Sequence, residues 1–318
     1  MQMPRARYRT SMCDSARWDD FRFRDGDIII CTPAKCGTTW MQMICALLIF
    51  QKTSLKKSLT EYSPWLDMYL RPKKEVYDLL EAQTHRRFIK THTPLDGLPM
   101  DDRVTYICVG RDPRDAAISL LNHADNMNFD RFKELIDHTL EVDHIELEAF
   151  SKQEEEDNSI QARFWRWIES DNSIYESGST LLHTLHHYSV ALEASNIPNV
   201  VLMHYSDMKA DLETEMKQLA CRLQIEIEPD LWPELVHAAT FESMRARGAE
   251  LAPDSKASVW KESKQFFHSG TGGHWKEFFD DEANMRYQTR INSIAAPDVV
   301  RWAHEGNKNQ RKFSSFMR

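Results

Sequence analysis

A short β-branched run that breaks into a tight, glycine-containing loop and re-emerges as an apolar helix constrains this chain more than any other feature. Asp27-Ile28-Ile29-Ile30-Cys31-Thr32 reads as a strand, Pro33-Ala34-Lys35-Cys36-Gly37 as the loop, and Thr38 to about Gln51 as the helix. At such a junction the first helical N–H groups are unpaired and the positive end of the helix dipole faces the loop, which together favour a phosphate. Gly37 lets the backbone approach a ligand closely. Lys35 adds a mobile positive charge, Thr38 and Thr39 add hydroxyl donors, and Trp40 offers a face on which a purine could stack. The lysine precedes the glycine and none follows it, so the Walker pattern is absent and ATP held in the Walker manner is not expected.

The same grammar recurs along the chain. Arg87-Phe88-Ile89-Lys90 reads as a strand stopped by Pro94, Arg103 to Gly110 as a third with a helix from Pro113 to about His123, and Asn199 to His204 as a fourth. The helix after that strand has Ser206 or Asp207 as its N-cap candidate. Strands alternating with helices predict an α/β fold with a mostly parallel central sheet flanked by helices. We expect residues 1–318 to form one domain, with an insertion or lid around 125–175. That stretch carries an acidic run, Glu154 to Asp157, and the cluster Phe164-Trp165-Arg166-Trp167.

The net charge of −9 argues against general nucleic-acid binding, so an anionic ligand must meet a local basic cluster. The longest nearly apolar run, Met41 to Phe50, is too short to span a bilayer, and no apolar segment follows the arginines near the start. No membrane association and a cytoplasmic location are therefore expected. The six cysteines contain no Cys-x-x-Cys pair and read as reduced core or loop thiols.

Three further groupings carry chemistry. Lys90 and His92 lie two positions apart, so in extended backbone both address one side of the chain. Histidine can act as a general base near neutral pH, and a neighbouring ammonium can meet charge on a transferred anion. Arg111, followed by Ser119 in the next helix, offers planar recognition of a phosphate and a further hydroxyl donor. His183, His186 and His187 have helical spacing, but no carboxylate or cysteine obviously converges on them, and no metal is expected.

The loop Thr32 to Trp40 resembles the phosphosulfate-binding loop of the cytosolic sulfotransferases, usually Tyr-Pro-Lys-Ser-Gly-Thr-Thr-Trp; here the serine is Cys36 and the tyrosine-proline step is Pro33-Ala34. Lys90-Thr91-His92-Thr93-Pro94 resembles that family's Lys-x-His-x-Pro catalytic segment, and Arg111 and Ser119 keep the eight-residue spacing of its 3′-phosphate contacts. Tyr205 matches the tyrosine of its Tyr-Glu-Asp-Met segment, and Phe241 the aromatic of its Thr-Ser-Phe segment near the adenine, with Ala239 in place of the threonine. His268-Ser269-Gly270 stands where the family has Arg-Lys-Gly, in a loop that closes over the 3′-phosphate, so two cationic contacts are lost while the Gly270 N–H is kept. The resemblance covers about Asp20 to Phe279.

This resemblance implies the P-loop-like sulfotransferase fold and transfer of a sulfuryl group from 3′-phosphoadenosine-5′-phosphosulfate (PAPS) to a hydroxyl or amine of a small acceptor, leaving the 3′,5′-bisphosphate (PAP). It implies His92 as base, Lys35 and Lys90 as charge-stabilising groups, and Ser119 beside them. Lys35, Cys36, Gly37, Thr38, Thr39, Trp40, Arg111, Ser119, Tyr205, Phe241, His268, Ser269 and Gly270 would form the nucleotide site. The competing readings are a P-loop phosphotransferase, disfavoured by the missing Walker lysine, and a nucleotide sensor, which would not need the Lys90 and His92 pair. Phe164, Trp165 and Trp167, with Trp65, Met68 and Tyr69, are expected to line an apolar acceptor cleft suited to an aromatic or lipid-like hydroxyl. The family's Lys-Thr-Val-Glu dimer segment is not seen in Phe278-Phe279-Asp280-Asp281-Glu282, so no dimer of that type is expected.

Overall fold

The structure, a computed structural model, describes residues 2–147, 157–254, 257–267, 272–277 and 279–307. Four strands, β1 (Ile28–Cys31), β2 (Phe88–Thr91), β3 (Thr105–Gly110) and β4 (Val200–His204), form one sheet in the order β2-β1-β3-β4. Every neighbouring pair is parallel, with Ile30 opposite Lys90 and Ile107, and Gly110 opposite His204. Parallel pairing needs a crossover between strands and leaves both sheet faces to be covered. The helices that position the site are α1 (Thr38–Phe50), α2 (Pro113–Asn126), α3 (Phe129–Val142), α4 (Ile160–Glu169), α5 (Leu181–Glu193), α6 (Tyr205–Ala210), α7 (Phe241–Ala246), α8 (Asp281–Ile294) and α9 (Pro297–Glu305).

The two-residue period of each strand divides the core. Ile28, Ile30, Phe88, Ile107 and Val109 pack on the α1 side with Met41, Ile44 and Leu48, while Ile29, Cys31, Ile89, Tyr106 and Cys108 pack on the opposite face with Trp18, Leu80 and Val190. All four residues of β1 are fully buried, as a central parallel strand requires. Because all strands run the same way, their carboxyl ends bring Thr32, His92, Arg111 and Tyr205 to one edge of the sheet, where ligands of open α/β sheets bind.

Two local expectations change. Neither Ser206 nor Asp207 caps the helix after β4: the strand runs through His204, whose side chain accepts from the Ser206 N–H at 3.3 Å. Asp207 turns inward and accepts from the backbone N–H of Asn307 at 2.7 Å, tying α6 to the residues after α9. The helix from Pro113 runs a further turn, to Asn126, because Asn126 and Met127 are held by backbone pairing with Lys261 and Trp260.

The described parts of the 125–175 stretch pack in two places. Phe132 and Ile136 of α3 pack on Met68, Tyr69 and Val259 beside the cleft. The aromatics of α4 do not line it: Phe164 and Trp167 are buried in a separate core with Ile118, Leu181 and Tyr287, and Trp165 stacks on Phe279 with centroids 5.8 Å apart. The amphipathic face of α4 meets α2, α5 and α8, and the expected lining role of Phe164, Trp165 and Trp167 is corrected accordingly. Residues 154–156 and Phe278 lie outside the described residues, whereas Asp280 caps α8 by accepting from the Ala283 N–H at 2.8 Å. Among the described residues, no helix is long and apolar enough to cross a membrane.

Candidate active site

The loop after β1 has a backbone shape that could receive an anion. Lys35 has φ +64° and Gly37 φ +103°, two left-handed turns that curl the backbone before α1. A side chain at Gly37 would be strained by that φ, and a Cβ there would lie 3.3 Å from Tyr205 Cδ2. No side chain caps the start of α1, so its first N–H groups remain available. Thr38 Oγ1 lies 2.6 Å from Thr32 Oγ1, fixing the first turn to the end of β1.

Arg111, 8% exposed, joins this loop to the end of β3. Its Nη1 donates to the Lys35 carbonyl at 2.9 Å, its guanidinium lies 4.3 Å from the centroid of Tyr205, and its buried Nε has no hydrogen-bond partner. The Tyr188 hydroxyl accepts from the Arg111 N–H at 3.0 Å and donates to its carbonyl at 2.8 Å, so α5 clamps the backbone at this position. Trp40 lines the same cleft, edge-on to Tyr205 at 5.0 Å, with its Nε1 donating to the Ala239 carbonyl at 2.8 Å. Thr240 is engaged elsewhere, as the N-cap of α7 accepting from Ser243, while Phe241 faces the cleft.

Cys36 could meet a nucleotide through its backbone alone. Its side chain is fully buried away from the cleft, with Sγ 3.2 Å from the Tyr188 hydroxyl, and burial pushes the thiol up to about 11. A neutral, inward thiol offers a ligand only its backbone. His268, Ser269 and Gly270 lie outside the described residues. The segment that follows them is anchored on α2, where the Gly273 N–H donates to Asp115 Oδ1 at 2.8 Å.

His92 sits beyond β2 with its Nδ1 2.5 Å from the Thr32 carbonyl. A carbonyl only accepts, so Nδ1 carries the proton and Nε2 keeps its lone pair. The ring is edge-on to Trp65 at 4.4 Å, and the Lys90 ammonium lies 4.7 Å from the centroid of the same indole. Lys90 and His92 thus share one neighbour, as their spacing predicts. Burial, helped by nearby Lys90, His183 and Lys35, pushes His92 down to about 3, and burial also lowers Lys90. Lys35 points at α2, its Nζ 3.1 Å from His123 Nδ1 and 4.9 Å from the Phe266 centroid. Burial first, then the positive charges of Arg111 and Lys90, push it down to about 7. Ser119 lines the cleft from α2.

Residues outside the predicted nucleotide and catalytic groups also shape the site, and one of them, Asp67, has no sequence signal of its own. Asp67 is fully buried, and its Oδ2 accepts from Trp18 Nε1 at 2.9 Å, Thr91 Oγ1 at 2.5 Å and Thr93 Oγ1 at 2.6 Å. It therefore fixes both residues flanking His92 to the loop bearing Trp65 and Met68. His187 Nε2 donates to the His92 carbonyl at 3.0 Å, and His186 bonds Tyr8 and Asp96, so the α5 histidines do not converge on a shared metal. Among the described residues there is no group of three or more His, Cys, Asp or Glu placed to hold one. Tyr69, expected at the cleft, is buried with its hydroxyl on Asp14 at 3.2 Å.

All of these elements surround a cleft of about 480 Å³. Its lining groups Lys35, Gly37, Trp40, Arg111, Tyr205 and Phe241 near the β1 and β3 carboxyl ends, and largely apolar side chains such as Trp65, Met68, Phe132 and Trp260 in another cluster, with Lys90 and His92 against Trp65. Such a site can hold an anionic group against cations and offer a neutral imidazole to a hydroxyl beside it.

Residues 25–299 match the sulfotransferase domain family. The chain is 43% identical over 310 residues to a glycolipid sulfotransferase of Mycobacterium bovis (strain BCG / Pasteur 1173P2), covering 95% of this chain and 94% of that protein. It is 22% identical to human sulfotransferase 1E1 over 85% of each chain. Among solved structures it resembles retinol dehydratase in complex with androsterone and inactive cofactor PAP, with a TM-score of 0.66 at 21% identity over 88% of this chain and 83% of that one. It also resembles mouse sulfotransferase SULT7A1 complexed with PAP, with a TM-score of 0.65 at 17% identity over 94% and 92%.

Proposed function

The chain belongs to the sulfotransferase domain family, and from that premise we propose that it moves a sulfuryl group from PAPS to a hydroxyl of a glycolipid or similar lipid-like acceptor, with His92 as the base. The observation that carries this reading is the pairing of a proton-bearing His92 Nδ1 on Thr32 with Lys35 and Lys90 around one cleft. PAPS brings a phosphosulfate anhydride whose sulfur is already activated. The fit of its nucleotide part is supported by the curled loop at Lys35 to Gly37 and by the buried, unpartnered Nε of Arg111. Arg111 and Ser119 would hold the 3′-phosphate, the α1 N–H groups the 5′-phosphate, and Trp40 and Phe241 the adenine.

In the proposed reaction His92 Nε2 takes the proton of the acceptor hydroxyl while that oxygen bonds to sulfur. Lys90 meets the charge of the sulfuryl oxygens, and Lys35 leaves His123 to meet the charge on the bridging oxygen as PAP departs. Burial and the nearby ammoniums keep His92 neutral without ligand, and an anionic donor offsets those ammoniums as the base begins to take a proton.

The acceptor assignment draws on the name of the mycobacterial relative and on the apolar end of the cleft. Sulfur-35-labelled PAPS with a panel of glycolipids, sterols, phenols, amines and highly charged glycans tests it. Label is expected chiefly in lipid-like hydroxyl compounds. Preference for a charged glycan, with the lipids inactive, would refute the acceptor class while keeping the transfer.

A pH effect follows from Lys35. Its ammonium is pushed down to about 7 without ligand, and a bound polyanion favours the protonated form and raises that value. Below about 7 Lys35 is already charged, so binding takes up no proton there. Above it, binding must take one up, and PAP affinity should fall by at most about tenfold per pH unit. Calorimetry at pH 8 in two buffers of different ionisation enthalpy should read proton uptake that disappears in Lys35→Met. Equal uptake in both proteins would remove Lys35 from this role.

A further inference from the structure

The acceptor end of the cleft has two unlike walls that meet at His92. On one side Met68, Phe132 and Val259 share an apolar cluster, extended by Trp65 and Trp260. On the other, the N-terminal segment lies against the start of α5: a Cβ built on Gly178 would sit 3.7 Å from Thr10 Cγ2, and the Tyr8 ring is 6.2 Å from that of His183. Thr10, Ser179 and His183 all face the cleft there.

His183 is the residue of this wall that its fold does not explain. It is 2% exposed, and its ring Nδ1 is buried without a hydrogen-bond partner. Its backbone N–H is satisfied by Thr180 Oγ1 at 3.1 Å, and its neighbours on the helix are each engaged, His186 with Tyr8 and Asp96 and His187 with the His92 carbonyl. A core histidine normally has a partner for its ring, because an unpaired buried polar group costs about 1–3 kcal/mol. Replacement by an apolar ring would remove that cost. Burial and neighbouring His186 push its imidazole down to about 4, so near neutral pH the ring is uncharged and carries one N–H.

We infer that His183 recognises a second hydroxyl of the acceptor, so that the natural acceptor carries a polyhydroxy head on the Thr10, Ser179 and His183 side and an apolar tail along Trp65, Met68, Phe132 and Trp260. This rests on the transfer proposed above. An uncharged imidazole suits a neutral hydroxyl, which can both give and accept a hydrogen bond, better than a carboxylate or an ammonium. His183 and His92 line the same cleft, and His187, whose ring centroid lies 5.5 Å from that of His183, donates to the His92 carbonyl at 3.0 Å, so a hydroxyl bound by His183 lies near the one deprotonated by His92. Vicinal or nearby hydroxyls of a sugar head meet that condition, and a simple long-chain alcohol does not.

The test compares an alkyl glucoside with the straight-chain alcohol of equal tail length, using labelled PAPS and the wild type, His183→Phe and His183→Gln. The phenylalanine keeps a buried ring, and the glutamine restores a polar end. His183→Phe is expected to raise KM for the glucoside by about tenfold, the loss of one hydrogen bond, while changing KM for the alcohol less than about twofold. His183→Gln should recover part of the glucoside preference. Equal losses on both acceptors, or no loss on either, would overturn the assignment, as would a wild type that sulfates the alcohol in preference to the glucoside. Failure of every acceptor to receive label would instead refute the proposed transfer, and calorimetry of the glucoside on the PAP complex would then still read His183: unchanged affinity in His183→Phe counts against it.

Discussion

His92→Ala should lower turnover by at least about a hundredfold while leaving PAP affinity within about twofold of wild type. A base that takes the acceptor proton contributes only while the new S–O bond forms, and the proposed nucleotide contacts do not include it. The geometry makes the expectation sharp, because the Thr32 carbonyl holds Nδ1 in its protonated form and leaves Nε2 as the only basic atom of that ring. Thr32 itself is fixed by Thr38 and by strand pairing, so the loop that would carry the 5′-phosphate does not depend on the imidazole. Steady-state rates with calorimetry on PAP read the two quantities separately. Near-normal turnover would exclude His92 as the base, and a large parallel loss of PAP affinity would mean that it acts by shaping the loop.

Arg111→Ala should weaken PAP by about tenfold to a hundredfold, the range of one charge-assisted contact, and weaken adenosine-5′-phosphosulfate several times less. Only PAP carries the 3′-phosphate that Arg111 is proposed to hold. Arg111 also donates to the Lys35 carbonyl, so a part of the loss will be common to both ligands. Arg111→Lys separates the two contributions, since it keeps a positive charge but cannot reproduce the planar fork that spans the carbonyl and a phosphate. Equal losses for both nucleotides in Arg111→Ala would sink the 3′-phosphate role.

The parts of this fold legible in the sequence are those whose signal is local. Runs such as Ile28-Ile29-Ile30 and Tyr106-Ile107-Cys108-Val109 announce parallel core strands, and Gly37 before an apolar helix announces the tight turn into α1. What stayed hidden depends on partners far along the chain. Cys36 looks like a loop residue aimed at a ligand until Tyr188, 152 positions later, draws its thiol inward. Asp67 is an acid in an apolar stretch, and only the fold brings Trp18, Thr91 and Thr93 to its one engaged oxygen. The Phe164, Trp165 and Trp167 cluster shows the limit of composition: its helical spacing defines an apolar face without saying whether that face meets a ligand or Phe279 and Tyr287. His123 reads only as the end of a helix, yet it receives the ammonium of Lys35 in the folded chain.

The central claim is that this cleft transfers a sulfuryl group and does more than bind a nucleotide. Incubating the protein with sulfur-35-labelled PAPS and an alkyl glucoside, then measuring label in the organic-extractable acceptor against PAP released, tests it most directly. Label is expected in the acceptor, in equal amount to the PAP formed, with loss of both in His92→Ala. Label appearing only as free sulfate, or tight PAP binding with no transfer to any hydroxyl acceptor, would contradict it.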